Sequence, residues 1–393
     1  MFLSLLKIEC RQILRSLVYY IYVIIFVLFM TSQMSDADWT ESLQKPVEGR
    51  NDYGTILTDD PNIIMRTALD CLSMEVKQNQ FVTYPLGFYK EVVLNEEELE
   101  QVWSYLLQCA NETREEIENG AFVTPKEELT YEQFSKKMEQ VTKVVGKGSQ
   151  YEQSYMKRAA AVPMTYEDAI EDYNKICMVD RVTGTYLRLF CDYAGILLAI
   201  LPIFLGVTRC LRDRRTQAEE VIFSKKISSL VLMLARYLAN VIMVFLPVVI
   251  TAFLVQLPYQ YRAETMGVTP DYFAFLTYTI IWLLPEIMVV LAISFLITEM
   301  TGNSLAILIQ VFWGIGSLFS AQTLVGDFGF HLVIRWNTIG QTGNYLLQKS
   351  QLYWNRGIYA LMAAVAMALA VLIYQKKRKE GTTLYGKLVK NRR

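Results

Sequence analysis

The sequence predicts an all-α integral membrane protein with six transmembrane helices, an N-terminal amphipathic surface helix and a large, mainly helical extracytoplasmic domain between the first and second spans. Three observations support this. The apolar residues of a 53% hydrophobic chain concentrate in six runs, each near the roughly 18 residues that a helix needs to cross a bilayer. A polar stretch of about 150 residues, enough for one domain, separates the first two runs. Lysine and arginine collect in alternate connections.

The predicted elements follow one another along the whole chain. They are a cytosolic amphipathic helix at 1–15, a first span at 16–34, the extracytoplasmic domain at 35–186, a second span at 187–208, a cytosolic loop at 209–228, the third to fifth spans within 229–325, an outer re-entrant or interfacial segment at 326–356, a sixth span at 357–375 and a basic cytosolic tail at 376–393. Basic residues precede the first span, as they would in a secretion signal, but no small-x-small cleavage site follows it. We therefore expect this span to be retained as an anchor.

Basic residues in the short connections predict the orientation, because Lys and Arg near span ends remain on the cytoplasmic side. They precede the first span, occupy the connection after the second, and fill the tail, which has eight basic residues and one acidic residue, Glu380. The connection after the third span carries only Arg262. We therefore expect a multi-pass protein of the plasma membrane with both termini in the cytoplasm.

The segment before the first span is predicted to be a surface helix. Lys7, Arg11 and Arg15 are four residues apart and form one basic stripe on a helix. Such a helix lies along a membrane with its basic side on anionic headgroups. The alternative is that this segment only extends the first span inward.

The extracytoplasmic domain carries 15 Lys and Arg against 28 Asp and Glu. This acidity could attract cationic peptides, or it could simply be a solvated face. Helix starts are predicted at Asn95, Thr124 and Thr165, each a capping residue followed by an acidic residue three positions on. A Cys71–Cys109 disulfide and free buried thiols both remain open.

The residue inventory argues against an enzyme. The chain has one histidine, His331, which excludes an HExxH pair or a histidine metal cluster. It contains neither a GxxxxGK[ST] phosphate loop nor a GxSxG nucleophile elbow. We therefore predict no catalytic, cofactor-binding or metal-binding residue in this chain and no nucleic-acid partner.

The connection between the second and third spans is charged but contains an apolar triplet. Its sequence, RDRRTQAEEVIFSKKISS, predicts a short helix with an apolar patch and charged ends that rests on the membrane or on another protein. The alternative is a basic loop that only fixes the orientation. The residues predicted to make the contact are Arg212, Asp213, Arg214, Glu219, Glu220, Val221, Ile222, Phe223, Lys225 and Lys226.

In this layout the chain resembles the permease subunit of a type-2 ABC transporter, the membrane half of a bacterial ATP-driven exporter. The resemblance covers the order of elements along the whole chain. In that family an acidic residue, a turn of apolar residues and a Pro/Ser/basic cluster precede a basic residue in the next helix. The corresponding positions here are Glu219 or Glu220, 221–223, 224–226 and Arg236, with Ala218 and Lys225 where the family usually has glycine and proline.

The resemblance implies that the charged loop is a coupling helix, which docks on an ABC ATP-binding subunit and transmits its closure to the spans. ATP and Mg would be bound by that partner, and a second permease, identical or related, would complete the path within the membrane lipid. The implied activity is export of an amphiphilic substrate such as an antimicrobial peptide, a lipid or a drug. The alternative is a membrane sensor whose acidic outer domain binds a ligand and signals through the cytosolic loop.

Three polar residues within predicted spans are candidates for a translocation path: Glu286, Asp192 and Gln310. A charge at the bilayer centre costs roughly 2.5–3.5 kcal/mol on insertion scales, so Glu286 should face the bundle interior. Asp192 is predicted to pair with Arg188, one helical turn away. Gln310 lies on a small, polar face suited to close helix packing. The alternative for all three is a packing role.

Aromatic residues in the 326–356 segment predict an interfacial position. The segment is too polar to span the membrane but amphipathic enough to enter its outer leaflet. Tryptophan and tyrosine concentrate at headgroup level. The predicted belt consists of Trp336, Tyr345, Tyr353 and Trp354.

Overall fold

The computed structural model describes residues 2–35, 43–50, 52–85, 89–320 and 330–380, and these are mostly helical. The chain divides into two compact units. The first, which we call the bundle, comprises Met1–Gln44 and Asp172–Arg393. The second, which we call the inserted unit, comprises Lys45–Glu171 and lies within the segment predicted as a separate domain.

The helices and strands follow one another along the chain in the order given by their numbers. The helices are α1 (Phe2–Ile13), α2 (Leu17–Ser35), α3 (Pro61–Gln78), α4 (Glu96–Cys109), α5 (Arg114–Glu118), α6 (Tyr131–Val145), α7 (Gln153–Ala159), α8 (Tyr166–Met178), α9 (Thr183–Leu198), α10 (Pro202–Arg215), α11 (Glu219–Ser224), α12 (Ser229–Thr265), α13 (Ala274–Tyr278), α14 (Leu284–Thr301), α15 (Leu305–Ser320) and α16 (Thr342–Glu380). A π-helical turn, Thr279–Leu283, joins α13 to α14. The strands β1 (Thr55–Leu57), β2 (Phe81–Thr83), β3 (Lys90–Val92) and β4 (Ala161–Pro163) form two antiparallel pairs, β1 with β4 and β2 with β3.

The bundle has the helices of a membrane protein. Within the described ranges, α2, α12, the joined α13–α14 and α16 are long and apolar enough to cross a membrane. They correspond to the first, third, fourth and sixth predicted spans. The predicted second span is the pair α9 and α10, which is bent by 41°. If this pair crosses as one span, the described residues contain five candidate spans. The predicted fifth span, α15, has 16 residues, and its continuation at 321–329 lies outside the described residues.

Prolines account for two irregularities in these helices. Pro202 begins α10, where its missing N–H and its ring are incompatible with a continuous helix from α9. Pro285 offers no N–H to the carbonyl of Ile281, one turn earlier. The chain there adopts the wider π-helical turn and remains helical. The second predicted span is therefore bent at Pro202, whereas the fourth stays helical through Pro285.

The N-terminal segment forms a separate helix, as predicted. α1 ends at Ile13, and α2 begins at Leu17. The basic residues Lys7, Arg11 and Arg15 are all exposed. The segment is therefore a helix distinct from α2, while its position on the membrane surface remains a prediction.

The last helix differs from its prediction. α16 runs unbroken for 39 residues, so the second half of the predicted interfacial segment and the predicted sixth span are one helix. Trp336 and Tyr345 are buried, with their rings edge to face at 5.8 Å. Of the four predicted belt residues, Tyr353 and Trp354 are exposed. Two aromatic residues, rather than four, are therefore available to headgroups.

The inserted unit packs α3, α4 and α6 around an apolar core that includes Leu72, Trp103 and Phe134. Asn95 caps α4 in a capping box with Glu98, as predicted. The helix start predicted at Thr124 is wrong. The Thr124 hydroxyl donates to Glu112 at 2.7 Å, and α6 begins after a Thr130 cap.

The predicted helix start at Thr165 is confirmed. Its hydroxyl accepts from the backbone N–H of Asp168 at 3.1 Å, and α8 begins at Tyr166. The six cysteines all lie among the described residues and are free, so Cys71 and Cys109 form no disulfide.

A half-buried carboxyl makes the inserted unit sensitive to pH. Glu75 accepts hydrogen bonds from the Tyr151 hydroxyl and, at 3.0 Å, from the Val82 N–H. Burial outweighs these bonds and raises the pKa of Glu75. The folded unit then holds a proton that the unfolded chain releases above about pH 4.5. The free energy of unfolding should therefore fall as pH rises through the interval between the two pKa values, and should be flat above it.

We expect Glu75→Gln to remove this pH dependence, because the amide keeps the shape and cannot ionise. Hydrogen exchange of α3 amides in the full chain measures the effect, with variant and wild type compared at equal pH between about 4 and 8. The protection factors of these amides in the variant, divided by those in wild type at the same pH, should increase as pH rises. Exposed Glu139→Gln is the control. A constant difference between Glu75→Gln and wild type at every pH would contradict the assignment.

Candidate functional site

The connection between α10 and α12 contains a short helix, α11, at the residues of the apolar triplet. α10 continues to Arg215, a turn with Gln217 at positive φ follows, and α11 covers Glu219–Ser224. Val221 is 59% exposed, whereas Ile222 and Phe223 pack against the bundle core. One apolar side chain therefore faces outward and two attach the helix to the bundle.

Residues of α16 hold the other side of this connection. The Phe223 ring meets the Tyr374 ring edge-on at 5.7 Å. Arg378 donates to the carbonyls of Phe223 at 3.1 Å and Ile227 at 2.5 Å, and also to the carbonyl of Lys225. A cation at these carbonyls satisfies acceptors that the end of a short helix leaves open. Arg378 falls in the predicted basic tail, and no local sequence pattern indicates that it binds the carbonyls of this connection.

Four charged side chains, three buried and one half-buried, connect α1, α10 and α12 at the same end of the bundle. Arg209 contacts both oxygens of Glu9, at 2.6 and 2.7 Å, and Asp213 at 3.2 Å. Arg236 contacts Asp213 and lies 3.7 Å from Glu9. The two arginines and two carboxylates balance, which is the condition for burying charge at tolerable cost. We call this set the four-charge cluster.

Two further contacts attach α14, α15 and α16 at the end of the bundle that carries the four-charge cluster. Arg214 lies 3.4 Å from Glu219 of α11 and donates at 3.0 Å to the carbonyl of Gly302, in the turn between α14 and α15. Glu299 of α14 pairs with Lys377 of α16 at 2.9 Å. A displacement of α11 would therefore act on several long helices at once.

The ten predicted contact residues divide into two sets. Those that pack or pair within the bundle are Asp213, Arg214, Glu219, Ile222 and Phe223. Those that are exposed are Arg212, Glu220, Val221, Lys225 and Lys226. The exposed set is the surface available to a partner, and we call it the α11 surface.

Glu286 faces the bundle interior, as predicted. It is fully buried, and one carboxylate oxygen accepts from Arg356 of α16 at 3.2 Å. Arg356 also donates to the carbonyl of Leu332 at 2.9 Å. Gly195 of α9 lies beside the carboxylate, and a Cβ there would be in van der Waals contact with it at 3.4 Å. Arg356 falls at the end of the predicted interfacial segment, so its pairing with Glu286 was not predicted.

The predicted pairing of Asp192 with Arg188 is wrong. Arg188 pairs with Asp180 at 2.5 Å, while Asp192 pairs with Arg335 at 2.9 Å. Arg181 and Val182, both at positive φ, interrupt the helical backbone between α8 and α9, and Asp180 just before this interruption contacts Arg188.

Gln310 of α15 donates at 2.7 Å to the carbonyl of Ala199, at the bend between α9 and α10. That carbonyl lies where α9 ends and the helical bonding stops. Glu286, Asp192 and Gln310 therefore each have a different partner within the bundle. All three have contacts that would also serve packing alone.

No protein-family model matches the chain, and comparisons with curated proteins and with solved structures give no match.

Proposed function

We propose that this chain is the permease subunit of a type-2 ATP-binding cassette exporter. It would lie in the plasma membrane with both termini in the cytoplasm. A separate subunit would bind ATP and Mg, and a second permease would complete the path for an amphiphilic substrate. The chain itself would perform no catalysis.

The observation that carries this proposal is the α11 surface. A short helix between the bent pair α9–α10 and the long apolar helix α12 exposes Val221 and Glu220, while its other side is fixed by Ile222 and Phe223. An exposed apolar residue rimmed by charges suits a protein contact. The attachment on the opposite side would let a push on this surface reach α10, α14 and α16 through Arg214 and Arg378.

We assign the four-charge cluster and the Glu299–Lys377 pair to the transmission of this push. Charged hydrogen bonds are shorter and stronger than neutral ones, and they hold a fixed geometry. The helices that they join would then move together rather than deform singly. Glu286, Asp192 and Gln310 remain candidates for the path, each with a partner that keeps it oriented toward other helices.

Val221→Asp tests the proposal, because it places an unpaired charge at the centre of the α11 surface. The tagged full chain is purified from its own membranes, and the co-purified ATP-binding subunit and its ATP hydrolysis are measured. In the variant, we expect the amount of co-purified ATP-binding subunit and its ATP hydrolysis each to fall about tenfold or more. This is the effect of disrupting a central interface residue. Val93→Asp, at a 67% exposed valine of the inserted unit, is the matched control and should behave as wild type.

Two outcomes would contradict the proposal. One is that wild-type chain brings down no ATP-binding subunit, which is what a membrane sensor would give. The other is that Val221→Asp and Val93→Asp retain equal amounts of it.

A further inference from the structure

A cavity of about 330 Å³ opens beside the junction of α1 and α2. Its walls come from this junction, from α10 and from Asn240 of α12. Four arginines line it: Arg15, Arg209, Arg212 and Arg215. Among the described residues, no carboxylate lines it. The cavity therefore offers a concentrated positive charge to a ligand.

Three of the four arginines carry a charge that the bundle does not balance. Arg209 belongs to the four-charge cluster, whose carboxylates neutralise it. Arg15, Arg212 and Arg215 are exposed. In the described part of the chain none of the three forms an ion pair, and Arg212 has only a hydrogen bond to Gln12 at 3.0 Å. An anion in the cavity would therefore meet cations that are free to bind it.

A buried acceptor in the same cavity indicates a hydroxyl on the ligand. Asn240 is 1% exposed, and its amide nitrogen donates to the carbonyl of Arg236 at 2.8 Å. Its amide oxygen has no hydrogen-bond partner among the described residues. Leaving a buried acceptor unpaired is unfavourable. A hydroxyl group of a ligand would satisfy this oxygen while an anionic group contacts the arginines.

The position of the cavity along the helices indicates a lipid. Leu17, the first residue of α2, is 73% exposed, and Ile24 and Leu28 further along α2 are also exposed. An exposed apolar helix face of this kind packs favourably against lipid acyl chains. The cavity lies where this face begins, which is the level of the headgroups.

We propose that this cavity binds the headgroup of an anionic phospholipid that carries hydroxyl groups, of which phosphatidylglycerol is the simplest. The phosphate contacts Arg15, Arg212 and Arg215, a headgroup hydroxyl donates to Asn240, and the acyl chains lie along the exposed face of α2. Basic pockets between membrane helices bind anionic headgroups in this way. The proposal does not depend on the chain being a transporter subunit.

Native mass spectrometry of the full chain, titrated with phosphatidylglycerol or phosphatidylcholine, tests this site. The variant is Arg15→Gln/Arg212→Gln/Arg215→Gln. The matched control, Lys226→Gln/Lys376→Gln/Lys379→Gln, removes the same charge from exposed residues that do not line the cavity. We expect wild type to prefer phosphatidylglycerol, and the variant to lose about tenfold or more of that affinity while the control changes by less than about threefold.

Folding is checked by the melting temperature. If the triple variant melts well below wild type, the single exposed variant Arg15→Gln replaces it and is compared with Lys376→Gln. We again expect a lower phosphatidylglycerol affinity in the Arg15 variant than in its control. Equal losses in variant and control would overturn the proposal, because they indicate general surface attraction. Displacement of phosphatidylglycerol by inorganic phosphate at about millimolar concentration would also overturn it in favour of a soluble anion. Unchanged lipid affinity with loss of the co-purified ATP-binding subunit would assign the cavity to a protein partner instead.

Discussion

Glu9→Met should destabilise the bundle by about 3 kcal/mol or more, since removing one partner of a buried ion pair leaves an uncompensated charge. Glu9 is 4% exposed and accepts two hydrogen bonds from Arg209, at 2.6 and 2.7 Å. Without it, Asp213 alone faces the two buried guanidinium groups of Arg209 and Arg236. Arginine does not lose its proton in proteins, so the surplus charge persists.

The double variant Glu9→Met/Arg209→Met should recover much of this loss, because Asp213 and Arg236 then balance. Modification of the buried thiol of Cys191 under increasing denaturant measures unfolding of the bundle. Arg11→Met, an exposed position on the same helix, is the control. A double variant that is no more stable than Glu9→Met would show that the cluster does not act as a charge-balanced set.

The helices of the bundle could be predicted because their signal is local. Apolar runs of span length mark where α2, α12, α14 and α16 lie. The capping boxes at Asn95 and Thr165 were equally readable. At Thr124 the same pattern failed, because a contact from Glu112, twelve residues earlier, used the threonine hydroxyl instead.

The partners of charged residues could not be predicted, because they are remote in sequence. Glu9 meets Arg209 and Glu286 meets Arg356 only after the helices pack. For Arg188, spacing predicted Asp192, one turn away, but the partner is Asp180, which precedes α9. The α11 segment was predicted as a short helix from its residues, while its attachment through Arg378 depends on the length of α16.

Glu286→Gln should be more harmful than Arg356→Met, although each breaks the same ion pair. The glutamine leaves the buried guanidinium of Arg356 without a counter-charge, and that group cannot become neutral. We expect a loss of about 3–5 kcal/mol. In Arg356→Met the carboxyl of Glu286 can take up a proton and become neutral, so the cost falls to about 1–3 kcal/mol, that of a buried polar group short of partners.

The double variant Glu286→Gln/Arg356→Met carries no buried charge at this position and should be more stable than Glu286→Gln alone. Equilibrium unfolding in denaturing detergent, followed by circular dichroism, gives the order of the three variants. Glu264→Gln makes the same chemical change at an exposed side chain of α12 and should leave stability unchanged within about 0.5 kcal/mol. Equal losses of unfolding free energy in the two single variants would mean that Glu286 and Arg356 are not buried as a charged pair. Water would then reach them inside the bundle.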